Sequence, residues 1–387
     1  MTLTTAAVAA NWSFPTLVRF GNGRIAELAD CVRELGAKRP LVVTDAGLKD
    51  LFPVQRALDA LRSGGLEAGL FSSVKPNPTG KNVSDGVDAL RSGGYDLVVA
   101  IGGGSALDAA KAIAFMASQN RPIWHFEDIG DNFKRADVTN LTPVIAIPTT
   151  AGTGSELGRS SVITHDEEHR KVIVFHPRMM PGIVIMDPEL TVGLPAHITA
   201  ATGMDALSHA LEAFSAPSFH PMAEGIALNA MRLIKTWLPV AVNDGGNLEA
   251  RAQMLIASGM GCVALQKGLG AIHALAHPLG ALYDAHHGML NAVLMPHVVS
   301  FNAPAIKDKL VLLSRFLDLG RPGEEGVMDW IQTLRRDLRI PETLSGMGLP
   351  QIDVEKVAAM GVIDPCAGGN PVQLEATALA GVLRNAL

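Results

Sequence analysis

Cysteine is scarce in this chain. Cys31, Cys262 and Cys366 are the three among 387 residues, and they form no CxxC pair. That spacing excludes a disulfide framework and a structural zinc ribbon, so a reduced, cytoplasmic setting is expected. Charge of one sign is lacking too. A formal net charge of −6 gives no electrostatic reason to expect nucleic acid or an anionic membrane as a partner. No run of eighteen uncharged apolar residues occurs, and the stretch Met1 to Ala10 is too short and uncharged for a secretory signal, so a soluble protein is expected. Internal repeats, low-complexity tracts and long linkers are absent as well.

What is present is apolar surface in plenty, 48% of residues against 18% charged, which argues for a packed globular chain. The length exceeds the usual size of one hydrophobic core, and two domains are the expectation. Short β-branched runs at Pro40–Thr44, Leu66–Phe71, Asp96–Ile101 and Pro143–Ile147 alternate with helical patterns at Leu48–Ser63 and Lys81–Ser92. This βαβ alternation predicts a mostly parallel sheet with helices on its faces. Runs at Ser161–Thr164, Lys171–Phe175 and Gly182–Met186 are expected to extend or flank it. After Asp187-Pro188 the strand signal stops, and helical periodicity takes over through Ile198–Phe214, Pro221–Trp237, Leu248–Ala264, Gly270–Tyr283 and Leu290–Asn302. The predicted architecture is therefore a Rossmann-like α/β dinucleotide-binding domain over residues 1–187 and an all-α domain over residues 188–387. A ligand cleft is expected where the two meet.

Strand Asp96–Ile101 runs straight into Gly102-Gly103-Gly104-Ser105, with Asp108 and Lys111 one turn apart on the helix that follows. Glycines let a backbone approach a phosphate, and the N–H groups of a helix start favour an anion. Taken alone, such a turn can also be a plain connector that binds nothing. It is not the GxGxxG fingerprint, and the acidic residue Asp45 precedes the glycines rather than following them. At a strand end Asp45 can accept hydrogen bonds from ribose hydroxyls and repel a 2′-phosphate, favouring NAD over NADP. It can also serve simply as a helix cap. A second polar loop, Pro148-Thr149-Thr150-Ala151-Gly152-Thr153-Gly154-Ser155-Glu156, follows the strand ending at Ile147 and strengthens the reading of a nucleotide site.

The other chemistry lies in the helical half. Asp205 and His209 are four residues apart, as are His273 and His277, so each pair shares a helix face. His286 and His287 follow closely. Imidazoles and a carboxylate suit Fe²⁺ or Zn²⁺, and three or four protein ligands with an open position suit a catalytic ion. Asp205, His209, His273 and His287 are the expected ligands, His277 is the residue expected to face substrate and relay a proton, and His286 is the ambiguous neighbour, able to replace His287 if the loop is turned differently. A divalent ion beside a nicotinamide predicts a metal-dependent alcohol dehydrogenase or aldehyde reductase. A metallohydrolase or a non-catalytic nucleotide- or metal-binding protein are the competing readings.

Gly102 to Ser105 with Asp108 and Lys111, Pro148 to Glu156, Ala201 to His209, and His273 to Gly280 with His287-Gly288 resemble the signatures of the iron-containing (group III) alcohol dehydrogenases. The resemblance runs from about Phe20 to Asp364 and Asn370-Pro371. It implies the same two-domain fold, NAD(P), iron or alternatively zinc, and a homodimer or larger oligomer. It implies as cofactor contacts Asp45, Gly103, Gly104, Ser105, Thr149, Thr150 and Lys171, with Gly102, Asp108 and Thr153 in the same segments. As metal ligands it implies Asp205, His209, His273 and His287, with His277 near the nicotinamide. All four ligand positions are filled, which counts against the metal-independent maleylacetate reductase branch. Two departures stand out: His286 replaces a common proline, and Gln266 to Gly270 lacks the asparagines many members carry. A Lys267 facing the cleft would pair with a substrate carboxylate and point to a hydroxy acid such as 4-hydroxybutyrate; otherwise it is a solvated lysine at a helix end.

Overall fold

The structure, a computed structural model, describes residues 10–13 and 16–387. Residues 1–9, most of the segment read for a targeting signal, lie outside them. By internal packing the chain divides into two compact units. One holds the chain up to Thr150 and Gly154–Gly193; the other holds Ala151–Thr153 and Leu194–Leu387.

The first unit carries strands β1 (Ala10–Ser13), β2 (Leu17–Phe20), β3 (Pro40–Asp45), β4 (Gly69–Val74), β5 (Leu97–Gly102), β6 (Val144–Pro148), β7 (Ser160–Thr164), β8 (Lys171–Phe175) and β9 (Ile183–Met186). Its helices are α1 (Leu28–Glu34), α2 (Phe52–Ser63), α3 (Gly80–Ser92) and α4 (Gly104–Met116). Among the described residues seven strands form one sheet in the order β1-β2-β9-β6-β5-β3-β4, parallel except for the antiparallel pairing of β1 with β2. The apolar runs explain this. β5 is buried at all six positions, as a strand covered by helices on both faces must be.

Three differences from the sequence reading have local causes. β4 begins at Gly69 rather than Leu66, because the Leu66 N–H closes the end of α2 onto Leu61 O at 2.9 Å. β7 and β8 form a separate antiparallel ribbon, while β9 joins the main sheet. β2 is too short to show a periodic signal and gains its identity from β9, with Leu17 opposite Ile183.

β4 lies on one side of β3 and β5 on the other. The strand order therefore reverses between β3 and β5, and in such sheets ligands bind beyond the carboxyl ends at that reversal. Asp45 and Gly102 are the last residues of those two strands.

The second unit is helical: α5 (Ala196–Ser215), α6 (Pro221–Asn243), α7 (Leu248–Ala264), α8 (Ala271–Tyr283), α9 (His287–Asn302), α10 (Lys307–Phe316), α11 (Gly323–Asp337), α12 (Val354–Val362) and α13 (Ala376–Ala386). α5 is its axis, packed by α6, α7 and α9 and buried without a break from Gly203 to Ser215. A helix apolar all round is one enclosed on every side, so the polar Asp205, His209 and Glu212 on it face the interior. No single helix among the described residues is long and apolar enough to cross a membrane.

Candidate functional site

Three helices assemble the metal candidates. Asp205 and His209 stand one turn apart on α5, His273 and His277 one turn apart on α8, and His287 opens α9. Gly288 sets the last placement. A Cβ there would lie 2.4 Å from Ala201 O of α5, so only glycine lets α9 start against that backbone and bring His287 beside Asp205.

Asp205 Oδ1 lies 3.5 Å from His287 Nε2, 3.8 Å from His273 Nε2 and 3.9 Å from His209 Nε2. The donor atoms of Asp205, His273 and His287 all fall within 4.8 Å of one another. Donors about 2.1 Å from a tetrahedral ion stand about 3.4 Å apart, so these residues fit a divalent metal with little movement. His209 lies at the margin of the group, its ring stacked on His273 with centroids 4.6 Å apart.

Electrostatics suit a cation. Burial pushes the Asp205 carboxyl up, but the surrounding His209, His287 and His273 outweigh it and hold the group well below the usual carboxylate range. Burial brings His209 down to about 4 and lowers His287 as well. In His273 burial is overcome by Asp205 and Glu212, which lift the imidazole to about 9.

Three positions that sequence reasoning missed orient this group. Glu212, one turn beyond His209, receives the His273 Nδ1–H at 2.6 Å and the Ile272 N–H at 2.6 Å, which leaves His273 Nε2 facing Asp205. Asp364 Oδ2 receives the Nδ1–H of His277 at 2.9 Å, and its Oδ1 is fixed by the Cys366 N–H at 2.8 Å. Asn291, one turn after His287, donates to Asp205 Oδ1 at 2.7 Å. The four-residue offset from His287 was a usable signal for Asn291. Asp364 entered only as the end of the resemblance, and no spacing ties it to a partner 87 residues away.

Two open questions of the sequence receive answers. His286 is the exposed N-cap residue of α9, without a side-chain cap bond. Lys267 is neither solvated nor free for a substrate: it is 4% exposed, its ammonium donates to Ala216 O at the end of α5, and Glu224 lies 3.3 Å away. The Ala216 carbonyl at the C-terminal end of α5 holds this cation. Burial, with Lys309 nearby, lowers its pKa to about 8.

In the sheet unit, Gly102 has φ +147°, a conformation that L side chains rarely adopt, and a Cβ on it would meet Ala106 Cβ at 2.7 Å. Gly103 and Gly104 then start α4 with no side chain capping its N–H groups. Asp45 Oδ1 accepts from the Gly47 and Leu48 N–H groups at 2.9 Å each, which closes the turn after β3; it caps no helix, since the N-cap of α2 is Leu51. Its Oδ2 lies 3.5 Å from where a Gly102 Cβ would stand, at the strand-order reversal. An uncapped helix start, a bare backbone turn and a carboxylate at the switch point fit a dinucleotide. Thr149 N–H donates to Gly102 O at 2.9 Å, and Thr150 lies beside Gly103. Thr153 packs with the helical unit. Other candidates are engaged by protein groups. Asp108 receives Ser155 Oγ–H at 2.5 Å and Val162 N–H at 2.9 Å, Ser105 Oγ–H donates to Pro76 O, and Lys171 Nζ donates to Asn77 Oδ1 at 2.5 Å.

Helices that gather a carboxylate and imidazoles for an ion, in one chain with a sheet built for a dinucleotide, define an NAD(P)-linked, metal-dependent oxidoreductase acting on alcohols or aldehydes. The chain belongs to the iron-containing alcohol dehydrogenase family: residues 15–188 match the family described as iron-containing alcohol dehydrogenase, and residues 199–387 match its C-terminal counterpart. It is 38% identical to a 4-hydroxybutyrate dehydrogenase of Cupriavidus necator, over 93% of this chain and 95% of that protein. It is 35% identical to an NAD-dependent methanol dehydrogenase of Bacillus methanolicus, over 97% and 100% respectively. The crystal structure of a 1,3-propanediol oxidoreductase, 35% identical, superposes with a TM-score of 0.91 over 98% of this chain and 99% of that one.

Proposed function

We propose that the chain interconverts short hydroxy acids, 4-hydroxybutyrate first among them, with the corresponding aldehydes, using NAD in preference to NADP. The observation that carries the chemistry is the grouping of Asp205, His273 and His287 donor atoms within 4.8 Å beside a His277 already paired to Asp364. The substrate class is supported by the similarity to the Cupriavidus necator enzyme, and Lys267, being buried against α5, no longer supports it.

In this reading Asp205, His209, His273 and His287 hold the ion. Asp205 supplies the negative charge, and Glu212 keeps the His273 ring turned toward it. When bound, a divalent ion polarises a hydroxyl or carbonyl oxygen and a nicotinamide carries the redox equivalents. His277, with Nδ1–H held by Asp364, keeps Nε2 available to accept or return a proton. Gly102, Gly103 and Gly104 present backbone to the pyrophosphate, with Ser105, Thr149, Thr150, Thr153 and Lys171 around it and Asp108 bracing the loop. Asp45 faces the ribose. A homodimer or larger assembly belongs to the same proposal and is checked by light scattering.

The test is a comparison of kcat/KM for 4-hydroxybutyrate, 1,3-propanediol and methanol with Fe²⁺ or Zn²⁺ supplied. Preference for 4-hydroxybutyrate by tenfold or more is expected. A tenfold preference for either neutral alcohol removes the hydroxy acid reading, and full turnover after exhaustive chelation removes the metal roles.

A further inference from the structure

Asn291 lies on α9 one turn beyond His287 and is fully buried. Its Nδ2 is 2.7 Å from Asp205 Oδ1, 3.3 Å from His273 Nε2 and 3.2 Å from His287 Nε2. Of these three contacts the shortest goes to the carboxylate, the strongest acceptor. The orientation of the amide is fixed by chemistry, since turning it over would press Oδ1 against that carboxylate. Oδ1 has no hydrogen-bond partner and no access to solvent. An orphaned carbonyl in the interior is unfavourable, so it is the donor end of the amide that accounts for asparagine at this position.

We propose that Asn291 is a positioning residue of the metal centre: its carboxamide N–H fixes the Asp205 carboxylate so that Oδ1 faces the His273 and His287 Nε2 atoms. This rests on the proposed role of Asp205, His273 and His287 as ligands. Leucine has the same branched shape without the donor, and aspartate would place a second carboxylate against the first. Asparagine donates from a neutral group. The orphaned Oδ1 is the cost of that choice.

The test measures binding of Co²⁺ by its visible absorption and of Zn²⁺ by competition with a chelator, for Asn291→Leu, Asn291→Ala and His273→Ala alongside the native protein. Circular dichroism and thermal unfolding in chelator establish that each variant folds, and Asn291→Ala stands in should the leucine variant fail to. Both Asn291 variants are expected to bind ten- to a hundredfold more weakly, the usual effect of losing a residue that orients a ligand. Affinity within twofold of native overturns the proposal. A loss as large as that of His273→Ala also overturns it, by making Asn291 a ligand itself. Native affinity in His273→Ala overturns instead the ligand assignment on which the proposal stands.

Discussion

Two carboxylates of this chain are withdrawn from water to the same degree, and burial leaves them in opposite states. Asp205, on the axial helix of the helical unit, is 2% exposed and held well below the usual carboxylate range because three imidazoles surround it. Glu156, in the loop after β6 of the sheet unit, is 1% exposed and pushed up to about 7 by burial. The nearest cation, Lys111, spends its ammonium on the carbonyls of Ser155, Gly158 and Ser160, and Glu156 Oε1 has no partner. Burial is therefore no guide to chemistry by itself. A buried acid becomes a site for a cation when its neighbours favour the anion, and holds its proton to a higher pH when they do not.

Removing the anion from the first of these should have the largest effect. Asp205→Asn preserves shape but not charge, and metal affinity is expected to fall by about two to three orders of magnitude, as for breaking a buried ion pair. Chelator competition reads this, while quenching of Trp fluorescence by NAD should be unchanged. Native metal affinity would erase the contrast. Glu156→Gln tests the other side. As pH rises from about 4.5 to about 7, the unfolded chain gives up this proton first, so the folded protein binds more protons and loses stability with rising pH. The glutamine variant is thus expected to be more stable by about 3 kcal/mol at pH 8, with the gain shrinking below about 1 kcal/mol at pH 5. Denaturant midpoints at the two pH values decide it, and a gain that does not depend on pH refutes the neutral-acid reading.

Asp364 sharpens the comparison. Burial raises its carboxyl, yet His277 and the Cys366 N–H hold it below the usual range, which groups it with Asp205. Asp364→Asn should lower kcat about ten- to a hundredfold while metal content and the KM for NAD stay as they are; lost metal would show that the pair supports the ion instead. The smallest change belongs to the half-buried Asp45. Asp45→Asn keeps the acceptor for the Gly47 and Leu48 N–H groups but removes the charge, and NAD-over-NADP selectivity should drop by roughly 1 kcal/mol, about fivefold. Unchanged selectivity would place the ribose elsewhere.

The two sites also differ in how legible they were. At the nucleotide end the signal is local, because a glycine turn at the end of an apolar strand is written in adjacent residues and acts through its backbone. The same holds for the four-residue offsets that mark Asp205 with His209 and His273 with His277. Lys267 shows the limit: its sequence surroundings suggested either solvent or substrate, and its actual partner is a carbonyl 51 residues away at the end of α5.

The sequence by itself determined the elements and the chemistry: a parallel α/β half, a helical half, the bare glycine turn, and which helix faces carry metal-binding groups, because periodicity and backbone geometry are properties of neighbouring residues. Only the tertiary structure decided which groups orient which. Glu212 reaches His273 across 61 residues, Asn291 reaches Asp205 across 86, and Asp364 reaches His277 across 87. Such pairings depend on how α5, α8 and α9 and the segment after α12 pack, down to the missing Cβ of Gly288, and side-chain packing leaves no period in the chain to read.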